Sequence, residues 1–285
     1  MELLATTATN VLVLSSLYIL VALGFAFLFN MLGVLNLAHG AIYMVGGYVG
    51  FALAIAFGMN VWLALLLTTV IMGAFGAVLE RLCFRPFAGD FNRTVMICVA
   101  VTVALQTAVN IIAGTRTLAL PSFAEGGLHI GIAYVSYERI VTFGIGAVLL
   151  LATMLFVNRT KWGQQMQAIS QNVEAAVLQG INVRAISGIA SAIGCALAAI
   201  AGCLVGAYLN LGPFMGDLML VKVLMLVILA GAGSTSGLFI TGFALGIIDG
   251  IVPVLANGAI SDGAAVIIVV VLLLLKPQGF FGHEA

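Results

Sequence analysis

The chain has 285 residues, of which 63% are hydrophobic and only 7% charged, against about 25% charged in an ordinary soluble domain. Mean hydropathy is +1.26, which excludes a soluble globule and defines an integral membrane protein. Ten basic and ten acidic side chains cancel, so the charge balance offers nothing to a nucleic acid.

A membrane helix needs about 20 mostly apolar residues. In chain order the candidates fall at roughly 8–30, 33–57, 61–80, 94–114, 138–158, 185–209, 217–232, 237–256 and 262–276, a count of about eight to ten spans. The fold class expected is an all-α polytopic bundle forming a single transmembrane domain over 1–285. The first segment follows Met1-Glu2-Leu3-Leu4, which lacks the basic start of a cleaved signal peptide, so it is expected to remain in the mature protein. The four cysteines, Cys83, Cys98, Cys195 and Cys203, sit in or beside apolar segments with no C-x-x-C pair and read as small core residues.

The second segment holds the most unusual membrane stretch, Gly33 to Gly50, GVLNLAHGAIYMVGGYVG. Asn36 and His39 are one helical turn apart and costly to leave facing lipid. Flanked by Gly33 and Gly40, they suit a broken helix lining a passage, with Tyr43 beside them. They equally suit a pair that ties two helices together or holds a kink.

Basic residues in short loops set orientation. Arg81, Arg85 and Arg93 follow the third segment, Arg159, Lys161 and Arg184 bound the 159–184 loop, and Lys276 lies near the C-terminal end. The opposing loop 115–137 carries only Arg116, so it is expected outside and the other three regions in the cytoplasm.

The 159–184 loop is polar and patterned. Met166, Ile169, Val173, Ala176 and Val177 fall on one stripe of a 3.6-residue period, while Gln164, Gln171, Glu174 and Gln179 fall elsewhere. Helices that lie on lipid usually carry many basic residues and bulky aromatics. Between Gly163 and Ile181 there are neither, which favours docking against a protein.

Small residues recur every fourth position at Gly46 and Gly50, along Ala190, Gly194, Ala198, Gly202 and Gly206, and at Gly242, Gly246 and Gly250. That spacing lets membrane helices approach closely, and packing is its ordinary use. Three charges remain inside the late segments. Asp217 follows Pro213 and Gly216 at a segment start, where a carboxylate caps a helix well. Lys222 has the reach either to snorkel to the headgroups or to pair with Asp249, which lies deep in its span.

No catalytic set is legible. His39, His129 and His283 lie in unrelated regions, no metal-ligand spacing is present, and none of the three lysines sits in a phosphate-cradling G-x-x-x-x-G-K-[ST] loop. The chain is expected to be no enzyme and to hydrolyse no ATP itself.

Glu174-Ala175-Ala176 followed by Gly180 matches the E-A-A-x-x-x-G pattern of ABC importer permeases. Together with the Gly33–Gly50 stretch, Arg85-Pro86, Gln171-Asn172, Gly180-Ile181-Asn182 and the ending Lys276-Pro277-Gln278-Gly279-Phe280-Phe281-Gly282, the whole chain resembles the H-type permease subunit of the branched-chain amino acid ABC importers. The resemblance implies a coupling helix within 159–184 that seats in an ATPase groove, with Met166, Ile169, Glu174, Ala175, Ala176 and Gly180 as the coupling residues. It implies four kinds of partner: the lipid bilayer, a related second permease subunit, two cytoplasmic ATPase subunits and a periplasmic substrate-binding protein. No cofactor is expected in this chain, ATP and Mg belonging to the ATPases, and the location implied is the bacterial inner membrane. Many members carry an acidic residue where Ala41 follows His39-Gly40, which leaves urea, short amides and aromatic acids open as cargo beside a branched-chain amino acid. An ion-coupled secondary transporter working through Asp249 and Lys222 is the rival class.

Overall fold

The structure is a computed structural model, and it describes residues 2–32, 36–87, 89–130, 133–231 and 234–255 together with 263, 266, 267 and 271. Most of the expected last span at 262–276, the Lys276 to Gly282 ending and His283 lie outside the described residues.

Among the described residues ten α-helices follow one another: α1 Glu2–Leu32, α2 His39–Phe51, α3 Val61–Leu79, α4 Phe91–Ala113, α5 Tyr137–Arg159, α6 Lys161–Gln171, α7 Val173–Leu178, α8 Val183–Tyr208, α9 Met215–Ala230 and α10 Thr235–Leu255. A π-helical turn at Ala52–Ala56 lengthens α2, and another at Glu80–Phe84 lengthens α3 before a short 3-10 turn at Arg85–Phe87. Among the described residues seven helices are long and apolar enough to cross a membrane. The eighth, α9, has 16 residues, about 24 Å at 1.5 Å per residue, short of a hydrocarbon core of about 30 Å.

The helix starts obey local chemistry. The side chains of Asn60, Asp90, Thr160, Asn172 and Asn182 each accept a hydrogen bond from the first turn that follows. The α4 helix ends at Gly114 with φ 76°, the left-handed conformation that glycine adopts without a Cβ clash. The second expected span is not one helix from its start: residues 37 and 38 form a turn and α2 begins only at His39. In the 115–137 loop a short antiparallel pair replaces plain coil, β1 Gly127–Ile130 against β2 Ala133–Ser136, with Gly127 opposite Ser136 and Ile130 opposite Ala133.

Packing resolves two compact units, with boundaries inside α1, α5 and α9 and in the loop after α4. The first comprises residues 1–22, 122–150 and 221–285. Within it, Gly242, Gly246 and Gly250 of α10 lie against Ile19, Ser15 and Val11 of α1, an antiparallel contact. The segment before the hairpin is tied to α5 by Glu138 in its first turn, whose Oε2 accepts from Ser122 Oγ, from Phe123 N at 2.7 Å and from Ala124 N at 3.4 Å.

The second unit comprises residues 23–121 and 151–220. Its axis is α8, buried along most of its length between α2 and α3. A methyl group at Gly202 would fall on the carbonyl oxygen of Tyr43, so α2 and α8 run backbone against backbone. Gly46 and Gly50 face Ala199 and Cys203 in the same seam. Ser191 Oγ donates to the Gly76 carbonyl at 2.7 Å, tying α8 to α3. Cys98, Cys195 and Cys203 are buried and unbridged, and Cys83 is half-buried.

Candidate functional site

Three clusters carry the residues singled out by the sequence. The first is the 160–182 loop, where one amphipathic helix was expected and two are found. Asn172 breaks the run with an extended backbone, φ −159° and ψ 109°, and its Oδ1 accepts from Ala175 N at 2.9 Å to start α7. Thr160 starts α6 by accepting from Gly163 N at 3.1 Å. Gly180 ends α7 at φ 78°. Its N–H donates to Val177 O at 2.9 Å and Ile181 N donates to Ala176 O at 3.1 Å, the paired bonds of a Schellman stop, which needs a left-handed residue at this position.

The apolar stripe then divides. Met166, Ile169 and Ala176 are 3%, 1% and 3% exposed and pack with Ile186 and Ala190 of α8, against Phe27, Phe156 and Ile193. That corrects their expected role as contacts to another protein, because the chain's own core fills the face they occupy. Val173, Val177 and Leu178 point outward, Leu178 at 86% exposure, beside exposed Glu174, Ala175 and Gly180. A helix pattern shows that one face is apolar; it does not show whose atoms cover that face. Near the same end of α8, Glu80 is buried and bonded twice by Arg85, at 3.2 Å from Nε and 2.6 Å from Nη2, while Arg85 Nη2 also donates to Arg184 O at 2.9 Å. Glu80 was not singled out; a carboxylate at the end of an apolar span was its signal.

The second cluster surrounds the break before α2. Asn36, His39 and Tyr43 are 3%, 0% and 1% exposed. Asn36 and His39 do not share a helical face as expected, since Asn36 precedes the helix. Its Oδ1 accepts from Ala38 N at 3.1 Å, its carbonyl accepts from His39 N at 3.1 Å, and Cys98 Sγ lies 3.6 Å from Oδ1. Asn36 Nδ2 is buried with no hydrogen-bond partner. The His39 ring meets Phe25 edge-on, centroids 5.6 Å apart. Thr102 Oγ1 donates to Leu37 O at 3.3 Å, and one turn further along α4 Gln106 Nε2 donates to Asp217 Oδ1 at 2.6 Å. Asp217 does stand in the first turn of α9, but its carboxylate reaches across to α4. Thr102 and Gln106 were passed over because two polar residues scarcely dent the hydropathy of that span.

The third cluster joins Lys222 and Asp249 in the first unit. Lys222 Nζ lies 2.7 Å from Asp249 Oδ2, which also accepts from Tyr18 OH at 2.6 Å, and Lys222 Nζ is 3.2 Å from that hydroxyl and 5.3 Å from the ring centroid. Of the two postures open to Lys222, pairing is the one adopted.

Membrane-length apolar helices around a capped polar loop define an all-α, multi-pass membrane protein. Residues 7–275 match the family model of the branched-chain amino acid transport system permease component, and the chain belongs to that family. It is 28% identical to the high-affinity branched-chain amino acid transport system permease protein LivH of Escherichia coli strain K12 and to the corresponding permease BraD of Pseudomonas aeruginosa, each alignment covering 96% of this chain and 94% of the relative. The probable branched-chain amino acid transport permease LivH of Methanocaldococcus jannaschii is 26% identical over 90% of this chain and 83% of its own length. The chain is thus a transport subunit, the permease component of an ABC importer.

Proposed function

We propose that this permease passes a small amino acid, a branched-chain one first, across the inner membrane of a bacterium. It works beside a related permease, two ATPases that hold the ATP and Mg, and a periplasmic binding protein that supplies the cargo. The names of its relatives support that cargo, and the divided stripe of the 160–182 loop supports the mechanism.

The outward residues Val173, Glu174, Val177 and Leu178 form the seat for an ATPase groove, with the loop on the cytoplasmic side. The inward residues Met166, Ile169 and Ala176 anchor the same helices to α8. A push on one face therefore enters the packed body through the other. Close packing transmits such a displacement because interiors have few voids to absorb it. As α8 lies against α2 through Gly202 and Tyr43, motion of the loop reaches the break at Asn36, and Asn36, His39 and Tyr43 line the path that opens there. Carboxylate and exposed apolar groups on this loop act as contacts, and none performs chemistry.

The observation that carries this reading is the outward Val173-to-Leu178 face on a loop whose other face is locked into α8. Glu174→Lys in the assembled complex tests it. The variant chain is expected in the membrane at the ordinary level, with nucleotide hydrolysis no longer coupled to uptake. Uptake at the ordinary rate would contradict the assignment.

A further inference from the structure

The α4 helix carries Cys98, Thr102 and Gln106 at four-residue intervals, hence along one stripe. The stripe meets Asn36, the Leu37 carbonyl and Asp217 in turn. With 23 residues, α4 is about 34 Å long, little more than the hydrocarbon thickness of about 30 Å, and Thr102 is its midpoint. Gln106 is four residues, about 6 Å, from that midpoint, and Asp217 is bonded to it at 2.6 Å. Asp217 therefore lies inside the hydrocarbon depth, yet on this chain it is exposed. A carboxylate cannot face lipid tails there without a large cost, so its open side turns to a neighbouring subunit or to a water-filled passage, and the helix starts beside it favour the passage.

Two further observations fall along the same stripe. The α9 helix starts at Met215 and α2 at His39, and a methyl group on either Gly40 or Gly216 would overlap the other's carbonyl oxygen. Two helix starts thus meet within the membrane, where irregular backbone is tolerated only when enclosed by protein or lining a cavity. The Asn36 amide, the polar group at the inner end of the stripe, keeps a buried donor with no acceptor.

We propose that Asp217, oriented by Gln106, is the point on the path that receives the ammonium group of a zwitterionic amino acid. Thr102 and Asn36 continue the polar track, the Asn36 amide offering a donor to the cargo carboxylate further along. This rests on the permease reading above and sharpens it. An acidic station fits a cargo with a fixed positive end and gives no advantage to urea or a neutral amide.

The test uses the complete transporter, with ATPases and binding protein, in proteoliposomes loaded with ATP. Asp217→Asn is expected to cut L-leucine uptake about tenfold or more, while membrane abundance and the nucleotide hydrolysis stimulated by leucine-loaded binding protein persist, and Asp217→Glu is expected to keep a substantial part of the uptake. A second readout does not depend on transport. With the native cysteines replaced by alanine, Gln106→Cys is expected to react with a hydrophilic cationic methanethiosulfonate, whereas Val103→Cys, exposed on the apolar outer surface beside the helix midpoint, does not. Wild-type uptake by Asp217→Asn, or a Gln106→Cys thiol inert in every nucleotide state, overturns the assignment and leaves the permease reading standing. A wild-type complex that carries urea but no amino acid overturns both.

Discussion

Gly180 illustrates how a single residue answers to two demands. Its φ of 78° is set by the Schellman stop of α7, so a side chain there strains the backbone before any partner is considered. A large substitution at Gly180 therefore confounds loop folding with docking, and Glu174, exposed and free of such backbone strain, is the cleaner probe. The Lys222–Asp249 pair makes the opposite case. Its side chains are 17% and 5% exposed, and removing one partner leaves a buried charge uncompensated at a cost of about 3–5 kcal/mol. Lys222→Met and Asp249→Asn alone are each expected to lower the thermal unfolding midpoint in detergent, and Lys222→Met with Asp249→Leu to recover most of the loss. A direct role in ion coupling predicts instead that Asp249→Asn keeps its stability and loses all transport.

Among elements, the α6–α7 pair separates anchoring from contact. Ile169, enclosed by the α8 cluster, is expected to cost about 2–4 kcal/mol when truncated to alanine. Leu178→Ala, at a site 86% exposed, is expected to stay within about 0.5 kcal/mol of wild type. Thermal unfolding of the purified chain and uptake by the complex should therefore sort the two variants differently, with Leu178→Ala impairing uptake at unchanged stability. The β1–β2 hairpin shows another kind of element-level dependence. Alternating residues from Leu128 to Ser136 carry a period-2 signal, but too short a one to stand alone. Tyr137 N closes the hairpin's base by donating to Gly126 O at 3.0 Å, and Glu138 gathers Ser122, Phe123 and Ala124 of the preceding segment around one carboxylate oxygen.

At the scale of the whole molecule, helices of the described residues meet backbone against backbone at several seams, Gly24 against Gly194, Gly40 against Gly216 and Gly202 against Tyr43. Lipid gives helices no hydrophobic reason to associate, so van der Waals contact and interhelical hydrogen bonds decide the arrangement. Gly202→Val is accordingly expected to push α2 off α8 and to lower the amount of folded chain recovered from membranes, measured by size-exclusion chromatography in detergent. Valine introduced at Gly144, which has open space around it, is the control expected to leave recovery unchanged. The same seam, α2 against α8 with α6 and α7 seated on α8, offers the continuous packed route that the proposed mechanism needs.

Hydropathy alone determined that the chain spans a membrane many times, because about 20 apolar residues have no other stable environment. Local chemistry was legible in part: a break before His39 and the small-residue seams could be read from residue types and spacing, whereas the Asn172 cap that divides the loop into two helices went unread. Pairing across helices was legible only where an expensive charge demanded a partner, as with Lys222 and Asp249. Tertiary structure alone decided which half of the loop stripe faces inward, that Glu80 and Arg85 clasp the start of α8, and that Gln106 of α4 donates to Asp217 of α9. The last two depend on surfaces that meet across 99 and 111 residues of chain, and no pattern within a single helix carries that information.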